Sequence, residues 1–463
     1  MASRMPQDGL PIAVVGAGFS GTITALQLLG RIGTRSVLLC ERAPTFARGA
    51  AYSTDQHVHL LNVRAANMSA FPDRPDDFVD WMKASQPLPE REIHETLTGT
   101  FVSRELYGRY LSSLVRDVLK GEEGALRLRI VPDEVVDLQP LADGYRLVLA
   151  GGREHKVAGA VLAVGNLLPA NGGSGILIAN PWSDPFAQDL VPGKAVAIMG
   201  SGLTMVDVVM RLWTSGFPGP VVALSRRGLL PQVHALTVPW PTPTLGQADR
   251  GSLTRMSRKI RAEVAAARQR GIGWQSVVDS LRPITSSLWR GLPEAEQKRF
   301  LRHLRPWWEV HRHRMAPPIG QQLSGLIRTG FLTIKAGRVL SIDPARRGAR
   351  ISYKPRRSSR AVVLQAQKVI DATGPAALKD LGDPLIRSLV ERGLARLDRH
   401  GLGIDVTDRF EIIAGDGRRA GALWALGPVV RGVFWECTAV PDIRLQARAL
   451  AVEVEAAVNG VAR

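Results

Sequence analysis

Residues 12–31 read IAVVGAGFSGTITALQLLGR and decide the fold class. A short run of β-branched residues leads into a glycine-rich turn, and the apolar residues that follow recur at helical spacing. This order predicts a strand, a tight turn and a helix. The run SVLLCER at 36–42 predicts the next strand and completes a βαβ unit.

The glycine turn has the GxGxxG spacing of a dinucleotide-binding site. Gly16 permits the tight turn, Gly18 lets the backbone approach a pyrophosphate, and Gly21 allows the helix to pack closely on the strand. About 20 residues further on, Glu41 ends the second strand, where a carboxylate accepts hydrogen bonds from ribose hydroxyls. The candidate cofactor contacts of this unit are Gly16, Gly18, Phe19, Ser20, Gly21 and Glu41.

A second copy of the pattern lies at 195–213, AVAIMGSGLTMVDVVMRLW, and the strand VVALSRR follows at 221–227. Met205 replaces the third glycine, and the second strand ends in arginines instead of an acid. Guanidinium groups pair with a 2′-phosphate that an acid would repel, which favours NADPH over NADH. The alternative is that these arginines only face water. The candidate contacts here are Gly200, Gly202, Leu203, Thr204, Ser225, Arg226 and Arg227.

Composition narrows the functional classes. The 463 residues include 60 Lys+Arg against 42 Asp+Glu, a formal net charge of +18, and two cysteines outside any CxxC pair. The missing pair excludes dithiol reductase chemistry. Without an arginine-rich tail or a zinc-finger spacing, the charge favours anionic small molecules over nucleic acid. No run reaches the roughly 18 apolar residues of a membrane helix, and we expect a cytoplasmic protein without a membrane partner.

The two dinucleotide units predict an α/β fold with two Rossmann-like domains, the NADPH domain inserted in a discontinuous FAD domain. We place the first part of the FAD domain at 10–180, the NADPH domain at 181–376, and the C-terminal part of the FAD domain at 377–463. A helical insertion is expected at about 250–330. Short strands at 125–131, 134–140 and 145–150 predict a β-meander, and 345–361 predicts a charged hairpin or loop.

Seven segments together resemble the FAD/NAD(P)-binding family, which is related to flavin-dependent N-hydroxylating and flavin-containing monooxygenases. They are GAGFSG, HLLNVRAANMSAFPD (59–73), NPW (180–182), SRRGLLP (225–231), RHLRPWWEVHRHRMAP (302–317), DATGP (371–375) and ALGPVVRGVFWECTAVPDIRLQA (425–447). The resemblance implies that the first unit takes FAD and the second NADPH.

By position, the resemblance also implies further site residues. Asn62, Met68 and Ser69 would line the isoalloxazine. Arg64 departs from the small or proline residue expected after Asn-Val: it marks either an altered backbone at the flavin or a residue recruited for an anionic substrate, and the alternative is a salt bridge to Asp73. Asn62, Arg64 and Ser69 are therefore the catalytic candidates. Further cofactor contacts are Thr373 and Gly374 of the DATGP turn, and Pro441 and Asp442 at the start of the last helix.

The leading hypothesis is an FAD- and NADPH-dependent monooxygenase that uses molecular oxygen, through a flavin hydroperoxide, to oxygenate a nitrogen or another soft nucleophile of a small metabolite. The substrate is expected to be an anionic amine or amino acid. One alternative is a flavin oxidoreductase that passes electrons to a quinone or protein acceptor. Another is a non-catalytic nucleotide-binding protein. The basic run at 302–314 is interpreted as a wall of the nicotinamide or substrate cavity, and no metal site is predicted because a metal-ligand spacing is lacking.

Overall fold

Two large β-sheets, each with a parallel centre, organise the chain. The computed structural model describes residues 9–167, 176–182, 186–374 and 383–460. Pro375 of the DATGP segment lies outside the described residues. The two predicted Rossmann-like units correspond to these two sheets, and the predicted α/β fold class is confirmed.

The first part of the chain supplies the centre of the first sheet. Its elements are β1 (Ile12–Val15), α1 (Phe19–Leu29), β2 (Val37–Cys40), α2 (Gly49–Tyr52), α3 (Asp77–Ala84), β3 (Ile93–Thr96), β4 (Gly99–Val102), α4 (Arg104–Lys120), α5 (Glu122–Arg127), β5 (Leu128–Val131), β6 (Val135–Leu141), β7 (Gly144–Leu149), β8 (Glu154–Val157) and β9 (Gly159–Leu162). Short 3-10 helices span Ala65–Asn67 and Glu90–Glu92.

The middle of the chain forms the second sheet and a helical segment. Its elements are β10 (Leu177–Ile178), β11 (Val196–Met199), α6 (Leu203–Thr214), β12 (Val221–Ser225), α7 (Gln247–Arg250), α8 (Leu253–Gln269), α9 (Trp274–Ser280), α10 (Arg282–Gly291), α11 (Glu294–Arg299), a π-helical turn (Phe300–Leu304), α12 (Arg305–Arg312), α13 (Pro317–Arg328), β13 (Leu332–Ala345), β14 (Gly348–Pro355), β15 (Val362–Ala366) and β16 (Lys368–Asp371).

The last part of the chain returns to the first sheet. Its elements are α14 (Pro384–Glu391), β17 (Glu411–Ile413), β18 (Arg419–Ala425), a 3-10 turn (Gly427–Val430), α15 (Arg431–Phe434) and α16 (Val440–Val458). The strand order of the first sheet is β17-β18-β9-β1-β2-β5, so that β18 pairs in parallel with β9 although about 250 residues separate them in sequence. The domain boundaries proposed above stay a prediction.

The second sheet has the order β10-β16-β11-β12-β13-β14-β15. Its first five strands are parallel, and β13, β14 and β15 continue as antiparallel hairpins. The charged stretch 345–361 therefore joins and extends hairpin strands. The helical segment 250–330 is observed as expected, as a series of short helices between β12 and β13.

The expected meander at 125–150 is wrong in its first strand. β5 pairs in parallel with β2 at the edge of the first sheet, and the residues before it end helix α5. The meander consists of β6, β7 and β8 instead. The reason is tertiary: the buried Leu128 and Val131 complete the parallel sheet beside β2, which local periodicity does not reveal.

A glycine turn connects β1 to α1 in the first sheet, and a second glycine turn connects β11 to α6 in the second sheet. Gly16 has φ +96, and a Cβ there would lie 2.6 Å from the carbonyl oxygen of Ala163. Gly200 has φ +112, and its Cβ would lie 2.3 Å from the carbonyl oxygen of Ala372. A Cβ at Gly21 would lie 1.8 Å from the Gly16 oxygen, whereas Met205 at the matching position is buried in the second core. The second unit therefore tolerates a side chain at the third position of the pattern.

Candidate functional site

A cavity of about 1170 Å³ opens at the carboxyl end of β1. This volume exceeds the range of roughly 300–1,000 Å³ that suits drug-sized ligands, and it is large enough for an extended cofactor. Gly16, Gly18, Phe19, Ser20 and Glu41 all line it. A crevice beyond the carboxyl ends of parallel strands is where α/β sheets bind dinucleotides. The geometry therefore brings together five of the six candidates of the first unit, and Gly21 packs behind them.

Glu41 connects the glycine turn to the end of β2. One carboxylate oxygen accepts a hydrogen bond from the Ala17 backbone N–H at 2.8 Å, and the other accepts from the Ala43 N–H at 3.0 Å. An ionised carboxylate has about four acceptor positions, so both oxygens can still accept from ribose hydroxyls. The side chain thus both fixes the turn and faces the cavity.

The segment 48–56 forms the opposite wall of the cavity, and the sequence interpretation missed it. Gly49, with φ +56, packs against the glycine turn: a Cβ on Gly49 would lie 2.9 Å from the Gly18 Cα. Arg48 also lines the cavity and donates from Nε to the Ser112 hydroxyl. The only local indication in the sequence is the dipeptide Arg48-Gly49, a basic residue and a glycine shortly after Glu41. It was missed because it matches no standard cofactor-binding motif.

Asn62, Met68 and Ser69 do not line this cavity among the residues that the structure describes. The Met68 side chain is buried in the first core. The Ser69 hydroxyl donates to the carbonyl oxygens of Phe71 and Arg74, so it holds its own loop. Their proposed contact with the isoalloxazine stays a prediction.

Arg64 bridges two backbone segments. Its Nε donates to the carbonyl oxygen of Thr98 in the β3–β4 turn, and its Nη2 donates to the carbonyl oxygen of Ala235 at 3.0 Å. The considered salt bridge to Asp73 is not among the ion pairs of the described residues. Arg64 thus connects the loop after His59 to the stretch beyond β12. A role in contacting substrate stays a prediction.

A buried ion pair joins the two units beside the cavity. Asp207 on α6 accepts from Arg104 Nη2 at 2.7 Å, and both side chains are at most 14% exposed. His59 donates from Nε2 to the Asp207 carbonyl oxygen at 3.1 Å, since that oxygen can only accept. His59 and Trp182 both line the cavity and meet edge to face. Sequence reasoning missed this contact because it joins residues far apart in the chain.

The second glycine turn presents a separate, open surface. Gly202 caps α6, and a Cβ on this residue would meet no described atom within 4 Å. Leu203 and Thr204 begin the helix. The Ser201 hydroxyl donates to the Leu229 carbonyl oxygen at 2.6 Å, which holds the loop after β12 against the turn. A helix N-terminus with its glycine turn free of side chains can accept a phosphate.

The three candidates after β12 differ in their surroundings. Ser225 accepts a hydrogen bond from the Gly228 N–H at 2.9 Å and so shapes the loop. The Arg227 guanidinium lies 5.9 Å from the centre of the Trp307 ring, whereas Arg226 is exposed. Arg226 is therefore the better candidate for a 2′-phosphate contact. Thr373 lies beyond β16, where its N–H and hydroxyl both donate to Asp371, and Gly374 follows with φ +97.

Asp442 faces the helical segment. Both of its carboxylate oxygens accept from Arg282 on α10, at 2.9 and 2.7 Å, in a bidentate pair. Pro441 is buried in the first turn of α16. Neither residue lines the described cavity, although Thr438 and Ile443 on either side of them do. The predicted contact of Pro441 and Asp442 with FAD stays a prediction.

His234 is a partly buried imidazole whose tautomer is fixed by its hydrogen-bond partner. Its Nε2 lies 3.0 Å from the carbonyl oxygen of Asn62, which can only accept, so Nε2 carries the proton. Burial lowers the pKa of His234 to about 4; the hydrogen bond to Asn62 opposes this shift, Arg314 and Arg64 add to it, and Asp279 opposes it weakly. The imidazole is thus neutral at physiological pH, with Nδ1 as an acceptor.

The depressed pKa of His234 predicts acid sensitivity. The unfolded chain binds the proton with the ordinary pKa of 6.5 and the folded chain with a pKa of about 4. The stabilising contribution is therefore fully present above pH 6.5 and is lost as the pH falls towards 4. We expect His234→Gln to lose less stability than the parent between pH 6.5 and 4 in urea unfolding. Parallel pH profiles for the two proteins would contradict this expectation.

The sequence of the chain was compared with known protein families. Residues 13–167 match the family model described as FAD-NAD(P)-binding. The chain carries an FAD-NAD(P)-binding domain. This domain includes β1, the glycine turn and most of the cavity wall, and the resemblance inferred from the sequence motifs is confirmed for these residues. An uncharacterised protein of Mycobacterium tuberculosis is 24% identical over 256 residues, covering 52% of this chain and 46% of the relative, so the match spans less than half of that protein.

Solved structures resemble the whole chain beyond the FAD-NAD(P)-binding domain. The ornithine N-hydroxylase of Kutzneria sp. 744, with reduced FAD, NADP+ and L-ornithine, aligns at a TM-score of 0.61 and 13% identity over 97% of this chain and 99% of its own. The L-lysine 6-monooxygenase of Pseudomonas syringae aligns at a TM-score of 0.63 and 17% identity over 97% and 100%. At such identities the likeness shows a shared fold.

Metal-ligating and thiol groups bear on the chemistry of the site. Among the described residues, no group of three or more His, Cys, Asp or Glu side chains is placed to hold a metal ion. Both cysteines, Cys40 and Cys437, are buried, and burial raises the pKa of the Cys40 thiol to about 12. A thiol held protonated in this way is a poor nucleophile.

No helix in the described part of the chain is both long enough and apolar enough to cross a membrane.

Proposed function

We propose that this chain is an FAD- and NADPH-dependent monooxygenase that oxygenates a nitrogen of a small anionic metabolite. The observation that carries the proposal is that one chain has both a large cavity at its first glycine turn and a second, open glycine turn at the start of α6. Two nucleotide sites in one chain suit transfer of a hydride from one cofactor to the other. The shared fold with N-hydroxylating enzymes supports the choice of reaction.

The residues of the first site fit FAD. The glycine turn would hold the pyrophosphate, Glu41 the ribose, and the wall at 48–56 the remainder of the cofactor. Bound flavin supplies hydride acceptance and oxygen activation. The chain itself binds and orients the cofactors and the substrate and excludes water from the site. The contact between His59 and Asp207 keeps the NADPH unit against the cavity.

The coenzyme preference is tested at Arg226. Because a charge-assisted hydrogen bond contributes about 1.5–3 kcal/mol, we expect Arg226→Ala to lower kcat/KM for NADPH by about tenfold or more while leaving NADH little changed. Arg227→Ala is the matched variant, and its effect should be smaller because this guanidinium lies near Trp307. Equal losses for both coenzymes in Arg226→Ala would assign it a structural role.

The reaction type is tested by coupling. The purified holoprotein is reduced with NADPH, mixed with oxygen and a panel of amines, sulfides and ketones, and assayed for oxygenated product and hydrogen peroxide. A monooxygenase gives product in proportion to the NADPH consumed. An enzyme that consumes NADPH and gives only peroxide, or reduces a quinone faster than oxygen, is an oxidoreductase. A colourless protein without NADPH oxidation is a nucleotide-binding protein.

A further inference from the structure

Several N–H groups of arginine side chains are buried without a hydrogen-bond partner where the helical segment meets the C-terminal part of the chain. The side chain of Arg314 is 2% exposed and that of Arg312 is 10% exposed. Nε and Nη1 of Arg314, Nη2 of Arg312 and Nε of Arg444 are buried without a hydrogen-bond partner among the described residues. Each of these atoms is an N–H donor. The region therefore has surplus buried donors.

Unpaired buried donors are costly, and native proteins seldom keep them. A buried polar group left unsatisfied loses its hydrogen bonds to water without replacement, and the penalty is larger when the group is charged. Several in one region indicate that an acceptor-rich molecule belongs there. Because cationic guanidinium N–H groups form strong, charge-assisted hydrogen bonds with carboxylate and phosphate oxygens, an oxyanion is the acceptor whose charge matches these donors best.

The charges of the region agree with this interpretation. The arginine cluster consists of Arg64, Arg282, Arg312, Arg314 and Arg444. Three carboxylates balance part of it: Asp442 pairs with Arg282, Glu436 with Arg312, and Asp279 with Arg314. Arg64 and Arg444 instead donate to backbone carbonyls, those of Thr98 and Ala235 and that of Ser69. Positive charge thus remains for a bound anion to neutralise.

His234 adds an acceptor next to these donors. Its backbone N–H donates to the carbonyl oxygen of Met315, the residue after Arg314, at 3.0 Å. Its Nδ1 is buried and has no partner among the described residues, and it carries a lone pair because Nε2 holds the proton against Asn62. An acceptor beside several cationic donors suits a molecule that has both an anionic group and an N–H group.

We propose that Arg312 and Arg314 bind the carboxylate of the substrate and that His234 Nδ1 accepts a hydrogen bond from an N–H group of the same molecule. This inference rests on the proposed function, and it names the residues that select the substrate. Asp279 holds the Arg314 guanidinium in place, and Glu436 does so for Arg312. The site is adjacent to the loop that contains Asn62 and Arg64, through the hydrogen bonds of His234 and Arg64.

The test uses amines matched in everything but the carboxylate. L-ornithine is compared with putrescine, and L-lysine with cadaverine, by titration calorimetry on the holoprotein. We expect the carboxylated partner of each pair to bind at least about tenfold more tightly, and Arg314→Met to reduce that ratio to about one. NADP+ is titrated in parallel, and unchanged NADP+ affinity in the variant assigns the oxyanion to the substrate. Selective loss of NADP+ affinity would overturn the proposal in favour of a coenzyme phosphate.

Control variants separate binding from folding. Arg258→Met removes an exposed arginine of α8, in the same helical segment but outside the basic run, and should leave the carboxylate preference unchanged. If Arg314→Met fails to fold, Arg314→Lys and Arg312→Gln provide the test, since each retains part of the hydrogen bonding. A carboxylate preference that survives in all folded variants would overturn the site.

The two proposals fail in different ways. Carboxylate binding that depends on Arg314, in a protein that oxygenates no amine, would refute the monooxygenase and keep the anion site. Oxygenation of uncharged amines without any dependence on Arg314 would keep the monooxygenase and refute the anion site. Equal affinity of the wild-type protein for the carboxylated and the uncarboxylated amine of each pair would also refute the anion site.

Discussion

Gly18→Val is expected to yield a folded protein that has lost its flavin. Gly18 lines the cavity, and a Cβ there meets only the Gly49 backbone, at 3.5 Å, which is an ordinary contact. The added methyl groups would instead occupy the space into which the pyrophosphate must approach the backbone. Flavin absorbance of the purified protein, with circular dichroism to establish folding, measures the effect.

Two further glycines supply the controls. Gly202→Val alters the matching position of the second turn, where a Cβ would meet no atom of the described residues within 4 Å, and should retain flavin but lose reduction by NADPH. Gly21→Ala should damage the fold itself, because its Cβ would lie 1.8 Å from the Gly16 carbonyl oxygen. Stoichiometric flavin in Gly18→Val would show that the first turn does not hold the cofactor.

Asp207→Ala is expected to destabilise the protein by about 3 kcal/mol, because it leaves the Arg104 guanidinium buried without its carboxylate. Urea unfolding of the holoprotein measures the loss. Asp207→Asn should fall between the parent and Asp207→Ala, since the amide can still accept one hydrogen bond.

A double variant isolates the ion pair. Combining Asp207→Ala with Arg104→Met removes both charges. The loss of unfolding free energy in this double variant should be smaller than the sum of the losses in the two single variants. Additive losses, or a loss below about 0.5 kcal/mol for Asp207→Ala, would mean that the contact contributes little. The His59 contact to the Asp207 backbone is retained in every variant. Arg104→Met also removes a hydrogen bond to the Leu60 carbonyl oxygen and a contact with the Trp182 ring, but these losses occur in both the single and the double variant and cancel in the comparison.

Local sequence predicted those features whose cause is local. The strand, glycine turn and helix at Gly16 and at Gly200 follow from backbone conformations and close approaches that only glycine allows. The position of Glu41 follows from the length of a βαβ unit. The same reasoning assigned the two-unit fold, since each unit carries its own pattern.

Features that depend on distant residues were not predictable in this way. The partner of Asp207 is Arg104, and the partner of Asp442 is Arg282, each more than 100 residues away. The strand β5 was assigned to a meander because its apolar alternation is equally compatible with either sheet. Arg64 was interpreted by its charge, whereas its contacts are decided by two carbonyl groups that the fold brings to it.

The pairing of β18 with β9 has a consequence for synthesis of the chain. As the polypeptide leaves the ribosome, β1, β2, β5 and β9 emerge long before β18, and the edge of β9 must wait for more than half of the chain to be made. An unpaired sheet edge is a template for association with other chains. The inserted unit has its own core and can fold during this interval. Nascent chains that stall before residue 419 therefore expose the edge of β9 that β18 would cover.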